Sequence, residues 1–599
     1  MWDSVAYMAV LPPALLGLIP LIITPGLLFF FDVTPKVALL VAGTACLAPW
    51  AAPGARELWR SPFGRWFCLL ALGQLASLAA SALLSTDVPM SIGGTNWRRY
   101  GAIVQLAALL FALIVAAGGA NLSVVLRTVA ATGTAAAAYG ILQYFGWDPL
   151  LPARSYHIGE GIWTIVRPPG TMGYVTYFAA YLLFVVFFGI GQARSDPHRG
   201  WRLMGWCAAA TAAAAIVLSG TRAAMLGLAA GAAVMGWRRP SRRLVLGIAA
   251  FTAATAIFYF SPAGWKLRSR MRWFLEDPRG GPRMLLWRDS WRMGASRWVA
   301  GFGPDTFSAE FPRFQSVALA RAYPDFYHES PHNMFLDAWT SQGLPGLVML
   351  AGMCGLGAAV AVRSEPSPLR AALSAAFVAV LLAHQFACFT ATTALFFYST
   401  IALLVAPTSF QGWRWSRASW MLVPLSLCLV WFGARLVVAD RILETVKTRL
   451  AAGRMSSAMD AYGRFERWKP VGMSADLWYS RSLAASAAKS SDPLVRVSAS
   501  RQAIAIARRA TRSAEDRHNA FYNLAVMCGL ENDAPCVHDS LRATIDRAPN
   551  WFKPHWTLAR VLAARGQIAE ARAEAALALE LSGGKYQEVA RTFHELWQK

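Results

Sequence analysis

Apolar stretches long enough to cross a lipid bilayer dominate this chain up to about residue 438. A transmembrane helix needs about 17–25 mainly apolar residues, and stretches of that kind recur throughout the region. We therefore predict about thirteen spans. They lie near residues 8–30, 36–53, 66–84, 100–117, 124–142, 174–191, 203–218, 223–237, 244–261, 344–362, 370–388, 393–407 and 420–438.

Charged residues are scarce and acids are absent from the predicted spans. Only 15% of the residues are charged, whereas soluble domains carry about 25%. Ion-coupled transporters usually place ionisable residues inside their helix bundle, so spans without Asp or Glu disfavour that class. The N-terminus lacks a basic region and a small-residue cleavage site, so we expect the first segment to be an uncleaved span.

The arginines of the short loops predict the orientation of the chain. They lie after the second, fourth, sixth, eighth, tenth and twelfth predicted spans, with Arg127 assigned to the loop after the fourth. These are alternate loops, and the positive-inside rule makes their side cytoplasmic. We therefore expect a multi-pass membrane protein whose far side, if the membrane is a bacterial inner membrane, is the periplasm. Its long loop 262–343 and its C-terminal domain are then periplasmic.

A different composition begins after the last predicted span, where the chain becomes polar, Ala-rich and helical in pattern. Leu524 and Ala525 recur as Leu558 and Ala559, a shift of about 34 residues, which is the period of tetratricopeptide repeats. We predict an all-α protein. A polytopic membrane helix bundle over 1–438 is followed by an α-solenoid of tetratricopeptide-like helix pairs over 439–599. Such stacks offer concave docking surfaces, so we expect a protein or substrate partner there, and a structural cap without a ligand is the alternative.

Two of the eight cysteines lie outside the predicted spans. Cys528 and Cys536 either form a disulfide across a short turn, which a periplasmic location permits, or remain free thiols. The sequence does not separate these alternatives, because it does not give their geometry.

The stretch His328-Glu329-Ser-Pro-His332 matches H-E-x-x-H, the signature of zinc metalloproteases. That site requires both histidines on one helical face. Pro331 excludes an unbroken helix between them, because proline disfavours helical geometry at the preceding residue. We expect no metal and no other cofactor. His332 instead lies at the entrance of a helix that follows Pro331.

Several arginines are predicted near the outer ends of spans and in the long loop. Guanidinium forks suit bidentate binding of phosphate oxygens, so these side chains predict a cationic cavity for a lipid-linked anion. Snorkelling at the membrane interface is the alternative for the arginine of the short turn. The candidates are Arg167 before the sixth span, Arg222 in the turn between the seventh and eighth, and Arg283 and Arg288 in the long loop.

Two stretches resemble motifs of the bacterial O-antigen ligase, O-antigen polymerase and O-oligosaccharyltransferase superfamily. His332-Asn333, nine residues, and then Gly343-Leu-Pro-Gly346 is similar to its H-[NSQ]-x9-G-x-x-G pattern. Arg222 and Leu226 are similar to its R-x3-L pattern. The order of elements, a bundle with one long loop before the histidine, is similar too. The resemblance covers roughly residues 1–438.

The resemblance implies glycan transfer from an undecaprenyl-pyrophosphate carrier to an acceptor hydroxyl, with inversion and without a metal. His332 would be the catalytic base, the four arginines would bind the donor pyrophosphate, and Asn333, Gly343 and Gly346 would be structural. The acceptor would be a lipid or sugar. The alternatives are a glycan polymerase, a protein O-oligosaccharyltransferase whose repeats hold the acceptor, and a non-catalytic envelope scaffold. We expect no nucleic-acid partner.

Overall fold

A computed structural model describes residues 2–51, 54–158, 164–238, 242–276, 281–365, 367–406 and 415–598, without the side chains of 2–9, 119, 243, 244 and 273–276. The described chain is mostly helical and has almost no strands, so the predicted all-α membrane class fits. Its one small sheet pairs β1 (His157–Ile158) with β2 (Ile165–Val166) in antiparallel fashion.

The helices before the long loop are α1 (Trp2–Leu21), α2 (Thr34–Ala51), α3 (Ala55–Arg60), α4 (Pro62–Leu83), α5 (Val88–Gly93), α6 (Ala102–Ile114), α7 (Leu122–Phe145), α8 (Val175–Ser195), α9 (Arg199–Ser219), α10 (Arg222–Arg238) and α11 (Arg242–Phe260). The long loop contains α12 (Trp265–Glu276), α13 (Arg283–Ser296), α14 (Phe307–Glu310) and α15 (Val317–Ala322). The bundle is completed by α16 (Met334–Arg363), α17 (Pro368–Ala383), α18 (Ala391–Val405) and α19 (Arg417–Ala451).

Each predicted spanning segment overlaps one of these helices. By length and apolarity alone, six helices of the described chain can cross a membrane, or up to seven if the bent pair Val245–Phe260 and Pro262–Arg272 is one span. Four shorter apolar helices accompany them at Val10–Leu21, Ala102–Gly118, Pro368–Ala383 and Ala391–Val405. The count of about thirteen spans is therefore not confirmed and stays a prediction.

A buried lysine closes the end of α1. Lys36 Nζ donates to the carbonyl oxygens of Ile19, Pro20 and Ile22 over 3.2, 3.0 and 3.0 Å. The last carbonyls of a helix have no partner within it and carry its partial negative charge. A cation at this position satisfies both needs and ties α2 to α1.

The bundle and the C-terminal domain are joined by helix α19, which continues for 35 residues without a break. It is followed by α20 (Met455–Trp468), α21 (Asp476–Ala488), α22 (Pro493–Ser513), α23 (Arg517–Leu530), α24 (Ala534–Arg547), α25 (Phe552–Ala564), α26 (Ile568–Ser582) and α27 (Gln587–Gln598). Neighbouring helices pack through a core that includes the recurring Leu558 and Ala559. The tetratricopeptide assignment and the solenoid are not confirmed and stay predictions.

The two cysteines outside the predicted spans are joined. Cys528 near the end of α23 and Cys536 in α24 form a disulfide, with their Cα atoms 5.9 Å apart. The bridge closes the turn between two packed helices.

The C-terminal domain packs directly against the long loop. Lys553 Nζ lies 2.6 Å from Asp325 Oδ2, and Trp551 Nε1 donates to Asp325 Oδ1 over 3.2 Å. Lys585 Nζ donates to the carbonyls of Arg321 and Ala322 over 2.9 and 2.8 Å. Ala320 of α15 shares an apolar cluster with residues of α25 and α26. The C-terminal helices and the long loop therefore lie on the same side of the bundle.

Candidate active site

The helix expected after Pro331 begins at Met334. Asn333 is its N-cap, and its Oδ1 accepts from the backbone N–H groups of Phe335 and Leu336 over 2.9 and 3.1 Å. An N-cap asparagine satisfies donors that the first turn leaves unpaired. Its Nδ2 also donates to the Gln385 carbonyl over 3.1 Å. The expected structural role of Asn333 thus corresponds to a cap that fixes the start of α16.

The two motif glycines lie within α16. Gly343 has φ +67° and interrupts the helix. A Cβ there would approach the Trp298 carbonyl oxygen to 2.5 Å, so glycine is needed for both the conformation and the close approach. Its neighbour Leu344 donates from its backbone N–H to that carbonyl over 2.7 Å. A Cβ at Gly346 would lie 2.3 Å from that of Gln342, whose amide accepts from Gln74 in α4 over 2.9 Å.

A cavity of about 460 Å³ lies between the start of α10, the long loop and the segment before α16. Three of the four predicted arginines line it, together with His332. A fourth arginine, which belongs to neither sequence motif, completes the cationic wall. The arginines are Arg167, Arg222, Arg270 and Arg283. Aromatic side chains, including Tyr174, Tyr323 and Phe326, form much of the remaining lining.

The tight turn between α9 and α10 brings two of these arginines together. Gly220 ends α9 in the left-handed conformation with φ +60°. A Cβ there would meet the Arg270 side chain at 2.5 Å, and Arg270 Nε approaches the Gly220 carbonyl to 3.4 Å. Arg222 follows as the first residue of α10. The glycine therefore admits Arg270 from α12 beside Arg222.

The other two arginines approach over aromatic rings. Arg167 follows β2 and lies over the ring of Tyr174, with 5.6 Å from Cζ to the ring centroid. Its buried Nε has no hydrogen-bond partner among the described residues. Arg283 lies 6.0 Å above Phe386. Burial lowers the pKa of Arg283, and although the Tyr174 phenol opposes this, Arg222 and Arg167 lower the pKa further. Converging cations of this kind suit an anionic ligand with several oxygens.

His332 lines the same cavity in a constrained backbone conformation. Its φ is +50°, which is uncommon for a residue other than glycine. Its backbone N–H donates to Ser330 Oγ over 3.3 Å, and that oxygen lies 3.4 Å from its Nδ1. Burial lowers the pKa of His332; Glu329 opposes the shift, and Arg283 and Arg98 add to it. The imidazole is therefore neutral at neutral pH and able to accept a proton.

A carboxylate and a thiol lie beside His332. The ligand atoms of Glu329, His332 and Cys388 are all within 4.8 Å of one another, a grouping that can hold a metal ion. The Tyr177 hydroxyl donates to Glu329 Oε1 over 2.9 Å and lies 3.2 Å from Cys388 Sγ. His328 is not part of this group, and 323–333 contains no helix. The H-E-x-x-H arrangement is thus not that of a zinc metalloprotease, in which both histidines share a helical face.

A network of buried ion pairs connects the start of α16 to other segments of the chain. Arg98 Nε donates to Asp305 Oδ1 over 2.8 Å, and Arg98 Nη1 donates to Asp337 Oδ2 over 3.1 Å. Asp305 Oδ2 accepts from the backbone N–H of Thr95 over 2.7 Å. Losing one partner of such a buried network leaves an uncompensated charge. The network fixes the first turn of α16 to the long loop and to the segment before α6.

Arg288 does not join the cavity. Its Nη2 lies 3.0 Å from Asp289 Oδ1 and donates to Ser316 Oγ over 2.7 Å. The structure therefore places it on the outer side of α13, away from the other three predicted arginines.

Residues 207–351 match the family model described as O-antigen ligase. This match supports the resemblance of the chain to the ligase and polymerase superfamily. It spans Arg222, the long loop, His332 and both motif glycines, whereas Arg167 lies outside it. Together with the apolar helices, it supports a multi-pass membrane glycosyltransferase of the ligase or polymerase type, which implies a lipid-linked glycan donor. No curated protein matches this chain.

Several site residues have no distinct signal in the sequence. Arg270 is one of many basic residues in the long loop, and no local pattern separates it from its neighbours. Glu329 belongs to a sequence motif only through the H-E-x-x-H match. Tyr177 and Cys388 lie in predicted spans, where a hydroxyl or thiol gives no distinct sequence signal. Arg98 lies outside every motif, and only its two acidic partners reveal its role.

Proposed function

We propose that this protein transfers a glycan from an undecaprenyl-pyrophosphate carrier to an acceptor hydroxyl on the periplasmic side of a bacterial inner membrane. One observation carries the proposal. Arg167, Arg222, Arg270, Arg283 and the neutral His332 line a single cavity. Arginines suit the pyrophosphate, and the imidazole suits the acceptor proton.

The proposed reaction follows from that arrangement. His332 takes the proton of the acceptor hydroxyl, and the oxygen bonds to the anomeric carbon from the face opposite the carrier. The bond between that carbon and the pyrophosphate oxygen breaks, and the configuration is inverted. The arginines stabilise the charge that develops on the departing pyrophosphate. A fixed set of guanidinium groups performs this role without a metal ion, and we propose that the reaction uses none.

The orientation is part of the proposal. The positive-inside bias supports a periplasmic location for the cavity. The disulfide between Cys528 and Cys536 supports the same side for the repeats, since disulfides persist in oxidising compartments. The contact between Lys553 and Asp325 requires that the repeats and the long loop share a side.

The acceptor distinguishes an O-antigen ligase from its relatives. A lipid or sugar acceptor corresponds to a ligase or polymerase. A protein acceptor corresponds to an O-oligosaccharyltransferase. The C-terminal domain packs against the loop that lines the cavity, and this contact supports the second candidate. Here the repeats would hold the acceptor protein beside His332.

A gene deletion tests the proposal. We expect undecaprenyl-linked glycan to accumulate and one class of surface glycoconjugate to disappear. Wild-type protein should restore that class, and His332→Ala should not, although it is expressed and inserted. The identity of the lost conjugate, whether lipid, polymer or protein, names the acceptor. An unchanged set of glycoconjugates would favour the non-catalytic scaffold.

A further inference from the structure

His328 is a buried histidine without polar partners. Only 8% of its surface is exposed. Neither ring nitrogen has a hydrogen-bond partner among the residues that the structure describes. The ring packs among Phe311, Phe326 and Tyr323, with centroids 5.5, 5.0 and 6.5 Å away. Buried polar atoms are usually hydrogen-bonded, so both ring nitrogens of His328 have the capacity to bind polar groups of a ligand.

The position of His328 indicates the path of such a ligand, because the side chain lies between two cavities. His328 and Phe326 line the arginine cavity, and both also line a second pocket of about 100 Å³. The second pocket lies between the long loop and the repeat domain. One water molecule needs about 10–15 Å³ of such space, so the pocket has room for several ligand groups. The segment containing these two side chains is the shared wall of the two spaces.

The chemistry of the second pocket suits neutral, hydroxyl-rich molecules. Asp325, His518 and Asn519 contribute acceptors and donors, while Trp551 contributes an aromatic surface. Sugar rings carry hydroxyl groups along their edges and apolar C–H groups on their faces. They are therefore bound by polar side chains interleaved with aromatic rings, each polar group fixing one hydroxyl.

The protonation state of His328 supports a hydroxyl partner over an anion. Burial lowers its pKa to about 4, and the neighbouring His332 acts in the same direction, while Asp289 opposes them. A neutral imidazole has one N–H donor and one acceptor nitrogen. A hydroxyl group, which both donates and accepts, complements it. Phosphate oxygens, which need donors, are served by the arginines instead.

We propose that His328 and the pocket lined by Asp325, His518, Asn519 and Trp551 form a glycan subsite. In this arrangement the sugar chain extends from the arginine cavity past His328 into the cleft between the long loop and the repeat domain. The inference rests on the proposed function and adds a role for the repeats, which contribute side chains to glycan binding. The glycan belongs either to the donor or to the acceptor.

Binding of free oligosaccharides tests the subsite separately from transfer. The full chain in nanodiscs is titrated with two probes and followed by saturation-transfer NMR. One probe is the oligosaccharide released by mild acid from the lipid-linked donors of the source cells. The other is the core oligosaccharide released from the surface lipid of the same cells. Binding of the first assigns the subsite to the donor, and binding of the second assigns it to the acceptor.

Substitutions at His328 and at the repeat domain give the decisive comparison. His328→Phe keeps the ring packing and removes both nitrogens, so binding should weaken about tenfold. His328→Gln keeps a donor and an acceptor and should retain most of the binding. Trp551→Ala should weaken binding from the other wall of the pocket. His538→Phe is the matched control, because His538 lies on α24 beside Asp539 and lines neither cavity.

The subsite and the proposed function fail in different ways. The subsite is wrong if the wild type binds neither probe, or if His328→Phe and Trp551→Ala both bind like the wild type. His332→Ala should bind glycan normally, while its transfer rate falls by about 10² to 10⁴. Normal transfer by His332→Ala would overturn the role of the base, whatever the binding experiment shows.

Discussion

The indole Nε1 of Trp287 donates a hydrogen bond of 3.1 Å to the carbonyl oxygen of Pro331. Helix α13 of the long loop thereby holds the backbone immediately before His332. The same ring packs 5.8 Å from Phe386, over which Arg283 also lies. One tryptophan thus links the proposed base to one of the proposed donor-binding arginines.

Trp287→Phe should lower kcat several-fold and change the donor KM little. The substitution keeps an aromatic ring against Phe386 but removes the donor that fixes Pro331, and one neutral hydrogen bond is worth about 0.5–1.5 kcal/mol. Steady-state kinetics with lipid-linked glycan measure both constants. Trp298→Phe is the control, because Trp298 is largely exposed and acts on Leu344 through its backbone carbonyl. If Trp287→Phe and Trp298→Phe have equal kinetic constants, Trp287 does not position His332.

His332→Ala should reduce transfer by about 10² to 10⁴, the typical contribution of a general base. Expression and donor binding should stay near those of the wild type. Chelators should not affect the purified enzyme, although Glu329, His332 and Cys388 are close enough to hold a cation. Activity with and without EDTA, followed by metal analysis, provides the measurement. If EDTA inactivates the enzyme and removes a metal ion, the site is a metal centre and His332 is not a general base.

Activity should have an acidic limb set by His332. Its pKa lies below the ordinary value of 6.5 because of burial, so the base is neutral above that pH and protonated below its lowered pKa. The rate should be flat above pH 6.5 and fall only at lower pH, where His332 becomes protonated. His328, with a pKa of about 4, should stay neutral in the flat range. A limb centred above pH 6.5 would contradict a neutral, buried base.

Arg222→Lys should lose most activity while the protein inserts normally. Lysine keeps the charge, but it cannot contact two phosphate oxygens with one planar fork. The loss should appear in donor binding, measured with labelled lipid-linked glycan. Arg288→Lys is the matched control, because Arg288 lies outside the cavity and pairs with Asp289. Comparable losses in both variants would mean that the cavity does not select the donor.

A reporter fused after Lys599 should detect the periplasm. Alkaline phosphatase is active only there, so the fusion should be active, and a reporter that works only in the cytoplasm should be silent. A fusion in the long loop should give the same result, since the loop and the repeats are in direct contact. An active cytoplasmic reporter at the C-terminus would reverse the orientation and remove the periplasmic site.

The sequence predicts the location of the site better than it predicts which residues line it. Arg167, Arg222 and Arg283 share a cavity, as expected of basic residues near the outer ends of predicted spans. Arg288 differs for a geometric reason. It follows Arg283 by five positions, which is about 140° around a helix, so the two do not face one cavity. Arg270 and Glu329 depend on contacts with distant segments, and no local pattern encodes those contacts.

The unbroken helix α19 has a consequence for evolution and engineering of the chain. Each helical residue adds about 1.5 Å and turns the chain by about 100°. A single residue inserted in α19 after the bundle would therefore rotate the C-terminal helices around the helix axis and carry Lys553 away from Asp325. A change in the length of α19 therefore alters both the distance and the rotation of the C-terminal helices relative to the bundle. Length changes in it should be tolerated mainly in whole turns, whereas the surface turns between repeat helices should accept them freely.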